Sequence, residues 1–214
     1  MTYFDIHTHN INKEKDVVSI VSAPWAEGEN FYNIGIHPWH INESYHEKLK
    51  HIDSIADKPN ILAIGEIGLD KVCKTDFELQ KEVFTKQIAL AEKHHKPVII
   101  HCVRAFEEVL ALIKNVSVPV VIHGFNKGAE LARQLTEKDF YLSFGKSLFD
   151  KNTKSIGALE ETPLFQIFLE TDDSDFDIKD IYKRAAEIKD MDIEVLAGQI
   201  EQNFKKVFRN NGIG

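Results

Sequence analysis

A chain of 214 residues with a formal net charge of −8 has room for one substantial domain with its own core, and it lacks a broad positive surface for nucleic acid. No apolar run approaches membrane-spanning length, and the N-terminus has neither a basic region nor a signal-type apolar stretch, so the expected setting is cytoplasmic with no membrane partner. Cys73 and Cys102 are too few and too far apart for a disulfide framework or a Cys-x-x-Cys pair, and Cys102 reads as a small buried hydrophobe rather than a nucleophile.

In chain order, Thr2–Ile6 reads as a strand that leads into Phe4-Asp5-Ile6-His7-Thr8-His9-Asn10. Two histidines two residues apart point the same way if the run is a strand, and neutral imidazole is the commonest metal ligand in proteins. Val17–Ala23 is a second β-branched run, stopped by Pro24, and the Gly/Asn-rich loop Glu27–Asn30 leads to a third strand, Phe31–Ile36. These three strands leave no room for crossover helices between them. From residue 43 the pattern becomes a regular alternation of helix and strand. Glu43–Ala56 carries a helical stripe of Leu49, Ile52 and Ala56, and Ile61–Gly65 is a strand ending at Glu66-Ile67-Gly68-Leu69-Asp70. Asp76–His95 is a long helix that Asp76 can cap, with Phe77, Phe84, Ile88 and Ala91 on one face. His94 and His95 complement its C-terminal dipole and take no site role.

Pro97–Ile100 is a strand and Arg104–Lys114 a helix with Phe106, Val109, Leu110 and Ile113 inward. Pro119–Ile122 (strand), Ala129–Thr136 (helix), Phe140–Phe144 (strand), 149–160 (helix) and Phe165–Leu169 (strand) follow, and helices over 178–189 and 193–209 close the chain. Eight strands alternating with helices predict an α/β fold, a TIM-type (β/α)8 barrel forming a single domain over residues 1–214, with helices missing or shortened after the first two strands. The thinly covered flank is to be covered either by the two C-terminal helices or by a second subunit in a homodimer.

His7, His9, Glu66, His101, His123 and Asp172 each follow the final residues of a predicted strand, and in a parallel barrel those ends open on one face. Six nitrogen and oxygen ligands exceed what one four-coordinate zinc requires and suit two divalent ions, with Glu66 able to bridge them. Imidazole and carboxylate without thiolate is consistent with zinc, manganese, iron or magnesium. Each residue also has a plainer reading. A strand-end histidine is commonly a hydrogen-bonded structural group, Glu66 can cap the following segment, and Asp172 can cap a helix near Ser174.

The blocks Phe4-Asp5-Ile6-His7-Thr8-His9, Gly35-Ile36-His37-Pro38, Gly65-Glu66-Ile67-Gly68-Leu69-Asp70, Ile100-His101, His123-Gly124-Phe125 and Leu169-Glu170-Thr171-Asp172 together resemble the signature of the TatD family of metal-dependent hydrolases. Phe144-Gly145 and Asn203-Phe204…Phe208 fit its remaining pattern. The resemblance implies a barrel with a two-metal site acting on phosphodiesters, deoxyribonuclease activity being reported for some relatives. It implies that His7 and His9 hold one metal, that Glu66 bridges, and that His101 and His123 hold the second. Asp172 then ligates the first metal and takes the proton of the attacking water. Three departures stand out. The segment between His9 and His37 is short. Arg104 lies one residue later than the family's usual arginine, which weakens an arginine contact to the substrate. Asp173-Ser174-Asp175 replaces a small residue and proline, adding negative charge that would repel a polyanion.

His37 lies outside the six ligands and reads either as a substrate or phosphate contact or as a structural hydrogen bond. Trp39 reads either as a stacking surface for a ring or as packing for its loop. The leading expectation is a two-metal hydrolase of phosphodiester bonds, with a DNA end or a small phosphoester as substrate. The alternatives keep the site but cleave a small ester, amide, lactone or phosphate ester, or retain metal in a structural, non-enzymatic role.

Overall fold

The computed structural model describes residues 1–23, 28 and 30–209. The Pro24 stop and, in the Glu27–Asn30 loop, Glu27 and Glu29 therefore lie outside the described residues. The described residues form eight strands: β1 (Tyr3–Thr8), β2 (Val17–Ser22), β3 (Phe31–Ile34), β4 (Ile61–Asp70), β5 (Val98–Val103), β6 (Val120–Ile122), β7 (Tyr141–Phe144) and β8 (Ile167–Leu169). They follow one another in chain order in one sheet. The helices are α1 (Tyr45–Ile55), α2 (Phe77–Lys93), α3 (Phe106–Leu112), α4 (Ala129–Thr136), α5 (Ser155–Glu161), α6 (Ile178–Ile188) and α7 (Ile193–Phe204), the last continued by a π-helical turn over Lys205–Arg209. Among the described residues no helix separates β1, β2 and β3, as the sequence predicts.

The chain divides into two compact units, Met1–Val21 with Val121–Gly214, and Ser22–Val120. In the first, β1 pairs with β2 and β7 with both β6 and β8, all parallel. The two segments of this unit meet here: Asp172 N–H donates to His7 O at 2.9 Å and His9 N–H to Asp172 O at 3.1 Å. α6 and α7 pack over β1 and β8. The Phe4 ring lies 4.6 Å from that of Phe204, and the Tyr182 ring sits edge-on to Tyr3 at 5.0 Å. The Tyr182 hydroxyl accepts the Phe4 N–H at 3.0 Å and donates to the Phe4 carbonyl at 3.1 Å. On α7, Leu196, Ile200 and Phe204 are buried, while Asn203 donates to the carbonyls of Leu164 and Ile167 at 2.8 and 2.9 Å.

The second unit holds β3, β4 and β5, paired in parallel, with α2 lying on β4. Asp76 caps α2 by accepting the Leu79 N–H at 2.9 Å, and Val83, Phe84, Ile88 and Ala91 form its inward face. Phe77 is half-buried, with the ammonium groups of Lys71 and Lys81 at 5.4 and 5.5 Å from its ring centre. Phe106 and Leu110 of α3 are likewise half-buried; Val109 and Ile113 are the inward pair.

Two buried glutamines two turns apart on α2 act as surrogate backbone partners. Gln87 brackets Ile36, accepting its N–H at 2.6 Å and donating to its carbonyl at 3.1 Å, which fixes the chain just before His37. Gln80 does the same for Asp70, at 2.9 and 3.1 Å. β4 is ten residues long and buried throughout, twice the length that hydropathy suggests. Its pairing with β5 continues through Gly68↔His101 and Asp70↔Val103. Gly68 makes that possible, because a Cβ there would lie 1.9 Å from the His101 carbonyl oxygen.

Candidate metal centre

The strands outrun the sequence expectation at several site residues. His7 lies within β1, Glu66 in the middle of β4, and His101 within β5, while His9, His37, His123 and Asp172 follow strand ends. Each unit gathers its own group of ligand atoms.

In the first unit these are His7, His123 and Asp172, whose ligand atoms lie within 4.8 Å of one another. His7 Nε2 and His9 Nε2 stand 3.7 and 3.6 Å from Asp172 Oδ1, and the His7 and His123 ring centres are 4.3 Å apart. Those nitrogen–oxygen gaps exceed a hydrogen bond, yet they match the ~3.4 Å separation of two ligands that share one tetrahedral ion with bonds near 2.1 Å. Burial, then the Glu170 carboxylate, push the Asp172 carboxyl above its ordinary range, a crowding of negative charge that a cation relieves. Asp172 adopts φ 55°, in the left-handed region that aspartate tolerates better than most side chains.

Buried carboxylates hold this group in place. Asp5 accepts the Thr171 N–H at 3.0 Å and the Thr171 hydroxyl at 2.6 Å, and that hydroxyl lies 2.9 Å from Thr8 Oγ1. Burial pushes the Asp5 carboxyl up to about 7 despite these bonds from Thr171. Glu170, fully buried, accepts the Gly124 N–H at 2.6 Å and faces His123 Nδ1 at 3.4 Å. Burial alone would raise the Glu170 carboxyl, but His123, with His7 and Ser143, outweighs it and the net direction is down. Gly124 takes φ 56°, which brings its N–H onto that carboxylate.

In the second unit the group is His37, Glu66 and His101. Glu66 Oε1 lies 3.0 Å from His101 Nδ1 and 3.3 Å from His37 Nε2. His37, which the sequence places outside the ligand set, thus stands with two members of it. Burial pushes its ring below the ordinary histidine pKa, against the pull of Glu66. On the far side of His101, Nε2 is 3.3 Å from Asp70 Oδ2, the oxygen that also accepts the Trp39 indole N–H at 2.7 Å. Burial would raise the Asp70 carboxyl, but the donors Trp39, Val72 and His101 hold it below the usual range. Trp39 keeps 61 % of its surface exposed, so it is tethered by its N–H rather than buried as loop packing.

The departures resolve in physical terms. Arg104 is exposed at φ 55°, just past β5. Asp173 is ion-paired with Lys146, whose ammonium holds its carboxyl below the usual range against the smaller upward push of burial, so one of the two additional charges is offset. Cys102 is half-buried rather than fully buried. No helix among the described residues is long and apolar enough to cross a membrane. Asp70 and Glu170 are the positioning groups that sequence reading passed over. Their signal was a carboxylate inside an apolar strand or directly after one, since such groups are rarely buried unless paired.

A family profile described as "TatD related DNase" matches residues 4–209. An uncharacterised metal-dependent hydrolase of Bacillus subtilis, YabD, is 34 % identical over 196 residues, covering 83 % of this chain and 77 % of the relative. The Escherichia coli metal-dependent hydrolase YcfH is 26 % identical over 195 residues, covering 83 % and 73 %. The crystal structure of YjjV, a TatD homologue from Escherichia coli, superposes with a TM-score of 0.84 at 20 % identity, covering 97 % of this chain and 98 % of that one. The fold is accordingly the family's eight-stranded α/β barrel. By profile, sequence identity and fold, the chain belongs to the TatD family of metal-dependent hydrolases.

Proposed function

We propose that this protein hydrolyses phosphodiester bonds, with DNA ends as the first substrate class. The observation that carries the reading is the convergence of imidazole and carboxylate in each unit, His7, His123 and Asp172 in one and Glu66 with His101 in the other. His9 completes the first through its approach to Asp172. Such donor sets suit zinc, manganese or magnesium, with the choice among them set by supply and geometry. Bound there, divalent ions supply Lewis acidity toward a phosphoryl oxygen and acidify a water.

The chain's own residues do the rest. Asp172, with its carboxyl raised by burial and by Glu170, accepts the proton of the attacking water at a carboxylate oxygen. Glu66 holds its ion in place and orients the ring nitrogens beside it. His37, neutral and with Nε2 facing into the group, donates a hydrogen bond to a phosphoryl oxygen. A second reading keeps the machinery but takes a small phosphate ester or carboxylic ester. It is favoured by the net charge of −8 and by the further carboxylate that Asp175 adds after Asp172 and Asp173.

Elemental analysis of freshly purified wild type and of Glu66→Ala is the deciding test, followed by assay of metal-loaded protein on single-stranded DNA and a panel of small esters. The expected result is about two ions per chain, falling in the variant, with DNA cleaved. Turnover of esters alone would select the second reading. Failure to bind zinc, manganese or magnesium at all would overturn both.

A further inference from the structure

The two histidines beside Glu66 differ in what they offer, and residues behind them impose the difference. Asp70 Oδ1 accepts the N–H groups of Val72 at 2.7 Å and Cys73 at 3.3 Å, and Oδ2 accepts the Trp39 indole N–H at 2.7 Å. These three partners can only donate, so the carboxylate is an acceptor throughout. His101 Nε2, 3.3 Å from Oδ2, thus meets an acceptor, as Nδ1 does at Glu66; with a cation held at Glu66, the ring proton belongs on Nε2. A neutral imidazole has one N–H, which leaves the lone pair on Nδ1, the atom 3.0 Å from Glu66 Oε1. His37 is set the opposite way. Its Nδ1 accepts the Trp39 backbone N–H at 3.2 Å, so its proton sits on Nε2, 3.3 Å from the same Glu66 oxygen.

We propose that Asp70, braced by Trp39, is a positioning residue that fixes His101 with its Nδ1 lone pair toward Glu66, dividing the pair into one metal ligand (His101) and one hydrogen-bond donor (His37). Trp39 serves both halves, its backbone N–H setting His37 and its indole N–H holding Asp70. Gln80 locks the Asp70 main chain beneath them. The inference rests on the metal-hydrolase reading above, which it deepens by naming which ring nitrogen binds.

The test is Asp70→Asn. To keep accepting the Val72 and Cys73 N–H groups, the amide oxygen must occupy the Oδ1 place. Its NH2 then faces two donors, the indole N–H and the His101 Nε2–H. His101 escapes by shifting its proton to Nδ1, where it blocks the ligand position. Two readouts are independent of turnover. Long-range 1H–15N spectra of zinc-loaded protein should show His101 as Nε2–H in wild type and Nδ1–H in D70N. Zinc titration against a chromophoric chelator should show affinity reduced by about 10–100-fold in D70N, the usual effect of losing a partner behind a ligating histidine. Trp39→Phe, which keeps the carboxylate, should retain the wild-type proton position and lose less affinity.

Wild-type His101 protonated on Nδ1 would overturn the proposal, and that spectrum decides the matter even if D70N does not fold. So would D70N with unchanged proton position and zinc affinity, since a residue that only stabilises the fold would lower the melting temperature and move neither. A wild type that binds no zinc would sink the hydrolase reading itself, whereas zinc bound with His101 protonated on Nδ1 would overturn this proposal alone.

Discussion

Tyr182→Phe removes one oxygen atom from a fully buried ring and tests how β1 is held. That hydroxyl accepts the Phe4 N–H and donates to the Phe4 carbonyl, at 3.0 and 3.1 Å, and Phe4 itself is 4 % exposed. Burial, foremost, raises the phenol's pKa, so the hydroxyl stays protonated and keeps both roles at any ordinary pH. The variant leaves the ring's packing against Tyr3 intact but strips two buried main-chain groups of these bonds. At ~1–3 kcal/mol for each stranded group, the loss is about 2–4 kcal/mol after partial relaxation. For a domain of this size that corresponds to a melting temperature lower by roughly 4–16 °C. Tyr45→Phe is the matched control. It also loses a hydroxyl bond, to Glu82 at 2.9 Å, but on the surface, where the expected change is within about 0.5 kcal/mol. Urea and thermal melts of the three proteins give the comparison. A Y182F variant no less stable than Y45F would refute the argument that this hydroxyl carries the edge of β1.

Other expectations follow from the same geometry. Gly68→Ala should destabilise by ~3 kcal/mol or more and weaken zinc binding together, because its methyl would meet the His101 carbonyl at 1.9 Å and force β5 away; wild-type stability in this variant would show that the strands pair less closely than described. His94 bridges Asp53 and Asp57, with ring nitrogens at 2.7 and 2.8 Å. Burial would lower its pKa, but the two carboxylates prevail and raise it. A raised folded-state pKa stabilises fully below the unfolded value near 6.5 and fades as pH climbs through the folded value. The stability gap between wild type and His94→Gln should therefore be widest below pH 6.5 and narrow above it in urea titrations; a gap that widens with rising pH would contradict the assignment.

The alternation of helix and strand was legible because apolar spacing reports which face is buried, and α4 was bounded to the residue. β4 was cut short because Gly65, Glu66, Gly68 and Asp70 are poor strand formers, and propensity cannot register that glycine admits a neighbouring strand at very close range. The ligand residue types were visible in sequence, but their grouping was not. His37 joins Glu66 and His101 only because Gln87, fifty-one residues away, clamps Ile36. Asp70 and Glu170 stood inside recognised motifs without a role, since a hydrogen bond to a histidine on another strand has no local signature. His94, expected to do no more than complement a helix dipole, turned out to tie α2 to α1, which no pattern within one helix can reveal. Lys146 offsets Asp173 for the same reason: the two are adjacent only in space.

The first unit is discontinuous in the chain, and this sets an order of events at the ribosome. Asp5 finds Thr171 across 166 residues and Phe4 finds Tyr182 across 178, whereas the second unit is one uninterrupted stretch. β1 is therefore made well before the residues that seal it and waits for them across those separations. Such distant closure is slow and leaves a bare strand edge exposed meanwhile, a natural substrate for holding chaperones. The histidine at position 7 can meet Asp172 only once the far end of the chain has been made. A protein released early would carry the opening motif intact and still lack the carboxylate that stands beside its histidines.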